Sequence, residues 1–157
     1  MSHTPKFIGS GTYGCVYSPP IKCQDMKICK GDKRCDVGVS KLMSASDAED
    51  EYDGYAQLKF DPTYRHHLRP PIMCKPDKKS LAKAKPCEAP RYDSKDDSLL
   101  VYEHGGQDLY MIDMKNVDRE RFFYGIRGLF EAVVELEKHG IVHNDIRKAN
   151  VVMDREY

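Results

Sequence analysis

The stretch IGSGTYGCVYSPP, residues 8–20, constrains this chain more than any other. Gly9, Gly11 and Gly14 are spaced G-x-G-x-x-G, and Val16 follows two positions on. In a dinucleotide-binding fold that spacing joins a strand to a helix, with an acidic residue about twenty positions later. Here Cys15-Val16-Tyr17 is β-forming and Pro19-Pro20 blocks a helix. Residues 6–17 therefore read as two short strands, Lys6-Phe7-Ile8 and Cys15-Val16-Tyr17, about a glycine-rich turn. Such a turn lets backbone N–H groups approach phosphate oxygens with no Cβ in the way. The plain alternative is a glycine hairpin without a ligand. No Walker A sequence competes.

Composition narrows the class. Among 157 residues, 25 Lys+Arg balance 25 Asp+Glu, which argues against retention on nucleic acid or an anionic membrane by bulk charge. Ten Tyr, five Phe and a 40% hydrophobic content support a folded core. No apolar run approaches the ~20 residues that span a bilayer. The start, MSHTPKF, lacks the basic and apolar regions of a secretion signal. The expectation is a soluble protein of the cytoplasm, the host cytoplasm if it is viral.

Six cysteines, at 15, 23, 29, 35, 74 and 87, include no C-x-x-C pair, and no His pair has finger spacing. Cys23, Cys29 and Cys35, with five residues between each, could in principle hold a metal together with downstream cysteines. The favoured expectation is reduced thiols, with no disulfide framework.

Further along, residues 21–35 read as an exposed connection rich in lysine and cysteine. Val37, Val39, Lys41 and Met43 alternate as one face of a third strand. Residues 46–58 read as a helix with an acidic first turn. The proline- and lysine-rich 70–97 reads as a surface loop or insertion, with a strand near Ile72-Met73. Ser98–Tyr102 reads as a buried strand. The strongest helix starts at an Asp118 N-cap, carries Phe122, Ile126, Leu129, Val133 and Leu136, and stops at Gly140.

A lysine on the face of Val37 and Val39 points toward a core and needs a partner, since a buried ammonium is costly. Glu51 shares its helix face with Ala48, Tyr55 and Leu58, so it is the carboxylate to pair with Lys41; Glu49 and Asp53 belong to the solvated side. The plain alternative is an exposed lysine and a partly exposed glutamate. A third motif, HNDIRKAN at 143–150, sets Asp145 and Asn150 five residues apart in a loop. A carboxylate there suits acceptance of a hydroxyl proton, and a neutral amide oxygen suits Mg²⁺.

Glycine turn, strand lysine, helix glutamate, the segment LLVYEHGGQDL (99–109) and H-x-D-x-x-x-x-N occur in the order of the protein-kinase signature set, which the chain resembles. The glycine turn is also similar to that of protein kinases from large DNA viruses. The resemblance implies an α+β, kinase-like fold: a small antiparallel sheet lobe with one helix (about 1–104, hinge included) and the first part of a helical lobe (105–157). ATP would bind in the cleft between lobes. Ile8, Gly9, Gly11, Tyr13, Gly14 and Val16 would form its phosphate and base cover, with Val39 on adenine. Lys41, held by Glu51, would contact phosphates. Tyr102 would be the gatekeeper, Glu103 and Gly105 the adenine edge, and Asp108 a ribose contact. Asp145 would orient and deprotonate the acceptor hydroxyl of a protein substrate, Arg147 would steady the phosphoryl group, and Asn150 would hold Mg²⁺.

The chain ends at Tyr157, seven residues past Asn150 and before any D-F-G, so the expectation is a partial kinase domain whose C-terminal half is missing. An exposed apolar patch around Phe122, Phe123, Phe130 and Val134 is expected with it. Asn144 stands where the family has Arg, Arg147 leaves the acceptor type open, and the Lys41–Glu51 interval is short. Two other readings stand beside the serine/threonine kinase. One is an inactive remnant that binds a nucleotide or partner. The other is a choline-type kinase, to which H-N-D-x-x-x-x-N is also similar.

Overall fold

The computed structural model describes residues 4–56 and 69–153, which form two compact units: 4–56 with 69–104, and 105–153. The fold is α+β. In the first unit a five-stranded antiparallel sheet runs in the order β1-β2-β3-β5-β4. Its strands are β1 (Lys6–Ser10), β2 (Gly14–Ser18), β3 (Val39–Ser44), β4 (Ile72–Cys74) and β5 (Asp97–Tyr102).

Side chains alternate across a strand, so the register sorts residues onto two faces. Val16 pairs with Lys41 and Lys41 with Leu100; Val39 pairs with Tyr102. These residues share one face, over which helix α2 (Ala45–Ala56) packs. Cys15, Tyr17, Ser40, Leu42, Leu99 and Val101 take the other, which is fully buried. That buried face is the main core.

What covers it differs from expectation. Segments 21–35 and 70–97, read from sequence as an exposed connection and a surface loop, keep many exposed side chains but send others into the core. Ile21, Cys23, Cys29, Cys35 and Ala89 are buried in the core cluster with Cys15, Tyr17 and Leu99. Short helices α1 (Arg34–Val37) and α3 (Lys78–Leu81) lie within or beside these segments. Ser40 Oγ accepts from the Ile21 amide at 2.9 Å, Ser80 Oγ from the Lys22 amide at 3.0 Å, and the Lys85 carbonyl from the Tyr17 hydroxyl at 2.7 Å. A sheet must bury its apolar face against a second layer. Here irregular chain supplies that layer.

Disulfides hold the layer in place, which corrects the expectation of free thiols. Cys15–Cys87, Cys23–Cys74 and Cys29–Cys35 pair all six cysteines. Two of these bridges span 72 and 51 residues of sequence, so only the folded chain brings their sulfurs together. Val37 is a second correction: it belongs to α1 and is 68% exposed. Gly38 follows it at a close crossing, where a Cβ would collide with the Tyr102 and Arg34 carbonyl oxygens.

In the second unit, β6 (Gln107–Asp108) pairs antiparallel with β7 (Val152–Met153). Helix α4 (Arg119–Lys138) begins at Asp118, whose carboxylate accepts from the Arg121 amide at 3.1 Å. It ends in a Schellman motif: Gly140 has φ +73°, Ile141 N donates to Leu136 O, and Gly140 N donates to Glu137 O. Both ends match the sequence reading. Phe123, Phe130 and Val134 are exposed as expected, whereas Phe122 is only half-buried. Among the described residues, no helix is long and apolar enough to cross a membrane.

Candidate functional site

The first unit gathers residues on the α2-covered face of its sheet. Lys41 and Glu51 meet, Nζ to Oε2, at 2.5 Å, with both side chains about a quarter exposed. Lys41 therefore points away from the main core, into a half-open layer under α2. Alternation dictates this: buried Ser40 and Leu42 flank it and take the opposite face. Ala48 is buried, while Glu49 and Asp53 are exposed, so the helix face chosen from sequence is the one that packs. Leu58, assigned to the same stripe, lies outside the described residues.

Tyr102 completes a three-residue arrangement. Its hydroxyl donates to Glu51 Oε1 at 2.6 Å, so each carboxylate oxygen of Glu51 has its own donor. The Tyr55 ring lies 5.9 Å from that of Tyr102. Burial, then the Glu51 charge, pushes the Tyr102 phenol far above its ordinary range, and the same causes raise Tyr55. Tyr102 therefore stays a neutral donor. Glu103, at the end of β5, accepts from the Arg69 amide at 2.9 Å and pairs with its guanidinium.

The glycine turn joins β1 to β2, with Gly11 N donating to Gly14 O at 2.9 Å. Register slips between Phe7 and Gly9, which leaves Ile8 at a bulge and exposed. The three glycines differ in what surrounds them. A Cβ on Gly14 would collide with the Leu42 carbonyl oxygen and approach Met43 Cγ to 2.9 Å. Gly9 and Gly11 have open space where a Cβ would project, and neither has a positive φ. The fold requires glycine at 14 and gives no reason for it at 9 or 11.

Two contacts at this turn were missed in the sequence. Arg91 lies over the Tyr13 ring at 4.8 Å, and its amide donates to the Thr12 carbonyl at 3.0 Å. Cys87 is bonded to Cys15, the first residue after Gly14. The 70–97 segment thus buttresses the turn; being aperiodic and rich in Pro and Lys, it gave no sign of that role.

In the second unit, HNDIRKAN forms a tight loop ending in a 3-10 turn, Lys148–Asn150. Asn144 has φ 51°. The Asn150 side-chain amide donates to Asp145 Oδ2 at 2.7 Å and to the Asp145 carbonyl at 3.0 Å. Arg147 Nε lies 3.1 Å from Asp145 Oδ1. Asp145, Arg147 and Asn150 are therefore brought together, with Asp145 more than half exposed. Asn150 directs its NH₂ to Asp145, so its side-chain carbonyl oxygen, the kind of ligand a hard cation takes, is not used in that pairing. Asp108 Oδ1 accepts from the Met111 amide at 3.0 Å, and β6 is tied to this loop by Leu109 N to Val151 O at 2.9 Å. Gly105 opens the unit.

No family model and no curated protein matches this sequence.

Proposed function

We propose that this chain is a protein-kinase-like phosphotransferase module that binds ATP with Mg²⁺ and transfers the γ-phosphate to a protein hydroxyl, serine or threonine by ancestry. One observation carries the reading. Gly9 and Gly11 have no steric or conformational cause within the protein, on a turn whose following strand sets Val16 beside the paired Lys41. Glycine is explained there if an outside group must approach the backbone closely, as phosphate oxygens do.

In this reading Lys41, fixed by Glu51, neutralises phosphate charge, and Val16 and Val39 pack on the base. Asp145 accepts the hydroxyl proton, and Arg147 balances charge on the phosphoryl oxygens. Mg²⁺, held by Asn150 when bound, supplies further neutralisation. Most of the catalytic effect is then positioning and electrostatics.

Calorimetric titration with Mg-ATP tests the proposal, using wild type, Lys41→Met and Asn150→Ala. Binding by wild type and at least tenfold weakening in Lys41→Met are expected; equal heats in all three overturn it. A γ-phosphate transfer assay on a generic protein substrate then separates catalysis from binding alone.

A further inference from the structure

We propose that Cys23, Cys29, Cys35 and Cys74, when reduced, form a tetrathiolate zinc site that replaces two of the disulfides. The Sγ atoms of Cys23, Cys29 and Cys35 all lie within 4.8 Å of one another, and the Cys74 sulfur is bonded to that of Cys23. In a tetrahedral Zn(Cys)₄ site, Zn–S bonds of about 2.3 Å put the sulfurs about 3.8 Å apart. Cys23 already lies within 4.8 Å of both Cys29 and Cys35, and reduction frees the two bonded pairs, Cys29–Cys35 and Cys23–Cys74, to part to that spacing.

The backbone holds these residues independently of the S–S bonds. The Cys23 segment bridges antiparallel to Pro76, with Gln24 N to Lys75 O and Asp77 N to Lys22 O both 2.8 Å. This sets Cys23 beside the end of β4, where Cys74 lies. Two turns, Asp32 N to Cys29 O at 3.0 Å and Cys35 N to Asp32 O at 3.3 Å, carry the chain from Cys29 to Cys35. All four cysteines are buried.

Charge favours the same occupant. A Zn²⁺ ion with four thiolates has a net charge of about −2. Residues 22–36 hold five basic side chains (Lys22, Lys27, Lys30, Lys33, Arg34) against three acidic ones. Harder cations prefer oxygen ligands and are poorly served by four sulfurs.

The exchange balances. Each of the two disulfides takes two electrons and two protons from a thiol reductant, which becomes its own disulfide. The four thiols then lose four protons to solvent as Zn²⁺ binds. In a reducing compartment the disulfides do not persist, and the metal would keep the 21–35 layer on the sheet.

The test uses the full chain, purified from zinc-supplemented reducing medium with a thiol reductant and no chelator. Elemental mass spectrometry should find one zinc per chain. Cobalt substitution should give the charge-transfer and d–d bands of a tetrahedral S₄ site. Cys35→Ser should lose zinc or shift those bands, whereas a Cys15→Ser/Cys87→Ser double variant should keep both. Oxidation of wild type should release the metal. Reduced, folded wild type without zinc overturns the proposal, as does binding that survives Cys29→Ser/Cys35→Ser. Bands unchanged by Cys74→Ser overturn the fourth ligand.

Discussion

The Tyr102 hydroxyl donates to Glu51 Oε1 at 2.6 Å, which leaves Oε2 to Lys41. The sheet thus holds the helix carboxylate from one side while the strand ammonium holds it from the other. Tyr102→Phe removes one hydrogen bond to a charged acceptor and is expected to cost about 1.5 kcal/mol. Glu51→Gln disturbs both bonds and should cost more. Urea denaturation reads the first effect, and weaker Mg-ATP binding by either variant reads the loosening of Lys41. A Tyr102→Phe protein as stable as wild type would show that the hydroxyl contributes nothing.

The glycine turn yields a contrast within one motif. Gly14→Ala forces a Cβ into the Leu42 carbonyl and should destabilise the protein by about 2 kcal/mol or more. Gly9→Ala and Gly11→Ala meet open space, so their stability should stay within about 0.5 kcal/mol of wild type or rise slightly. Their Mg-ATP affinity should nonetheless fall. Thermal melts and calorimetry on the three variants check both halves.

Disulfide removal should be graded by loop length. In oxidised protein, Cys87→Ser opens the link spanning 72 residues and should cost up to about 4 kcal/mol on the chain-entropy account. Cys29→Ser opens one spanning 6 residues, worth about 2 kcal/mol on the same account. Under reductant the Cys87→Ser deficit should vanish. A deficit that persists would assign the loss to packing rather than to the crosslink.

Acid should expose the Asp32–Arg34 pair. Hydrogen bonds from the Arg34 side chain hold the Asp32 carboxyl down at about 2, against an ordinary value near 4. A depressed folded-state value stabilises the protein above pH ~4, and that contribution is lost as pH falls toward ~2. Solvent screening at this partly exposed site limits it to about 1 kcal/mol. Urea midpoints of wild type and Asp32→Asn should differ by a constant amount above pH 4 and converge toward pH 2.

At the alkaline end, burial and the neighbouring carboxylates Asp97 and Glu51 raise the phenols of Tyr92 and Tyr102 respectively. The stability they confer is complete below pH ~10, the ordinary tyrosine value, and is lost as pH rises beyond it. Ultraviolet titration should show these phenolates forming together with unfolding; early ionisation without unfolding would contradict the buried geometry.

Local chemistry decided much of this protein in advance. The hairpin follows from glycines between β-formers and a diproline stop. The long helix follows from the Asp118 cap and Gly140, and the Lys41–Glu51 pair from residue faces that period alone assigns. Each is a signal carried within a few residues of its cause. The second layer over the sheet could not be read this way. Its segments are aperiodic, lysine-rich and hydrophilic on average, and most of their side chains are exposed. The few that reach the core include cysteines bonded to partners far away in sequence. Val37 shows the same limit on a small scale, since alternation continued on paper through a position where the close crossing at Gly38 ends the strand. Short-range pattern set the elements and their faces. Which face is roofed, by what, and which sulfurs meet beneath it depended on contacts between distant parts of the chain, and those exist only once it has folded.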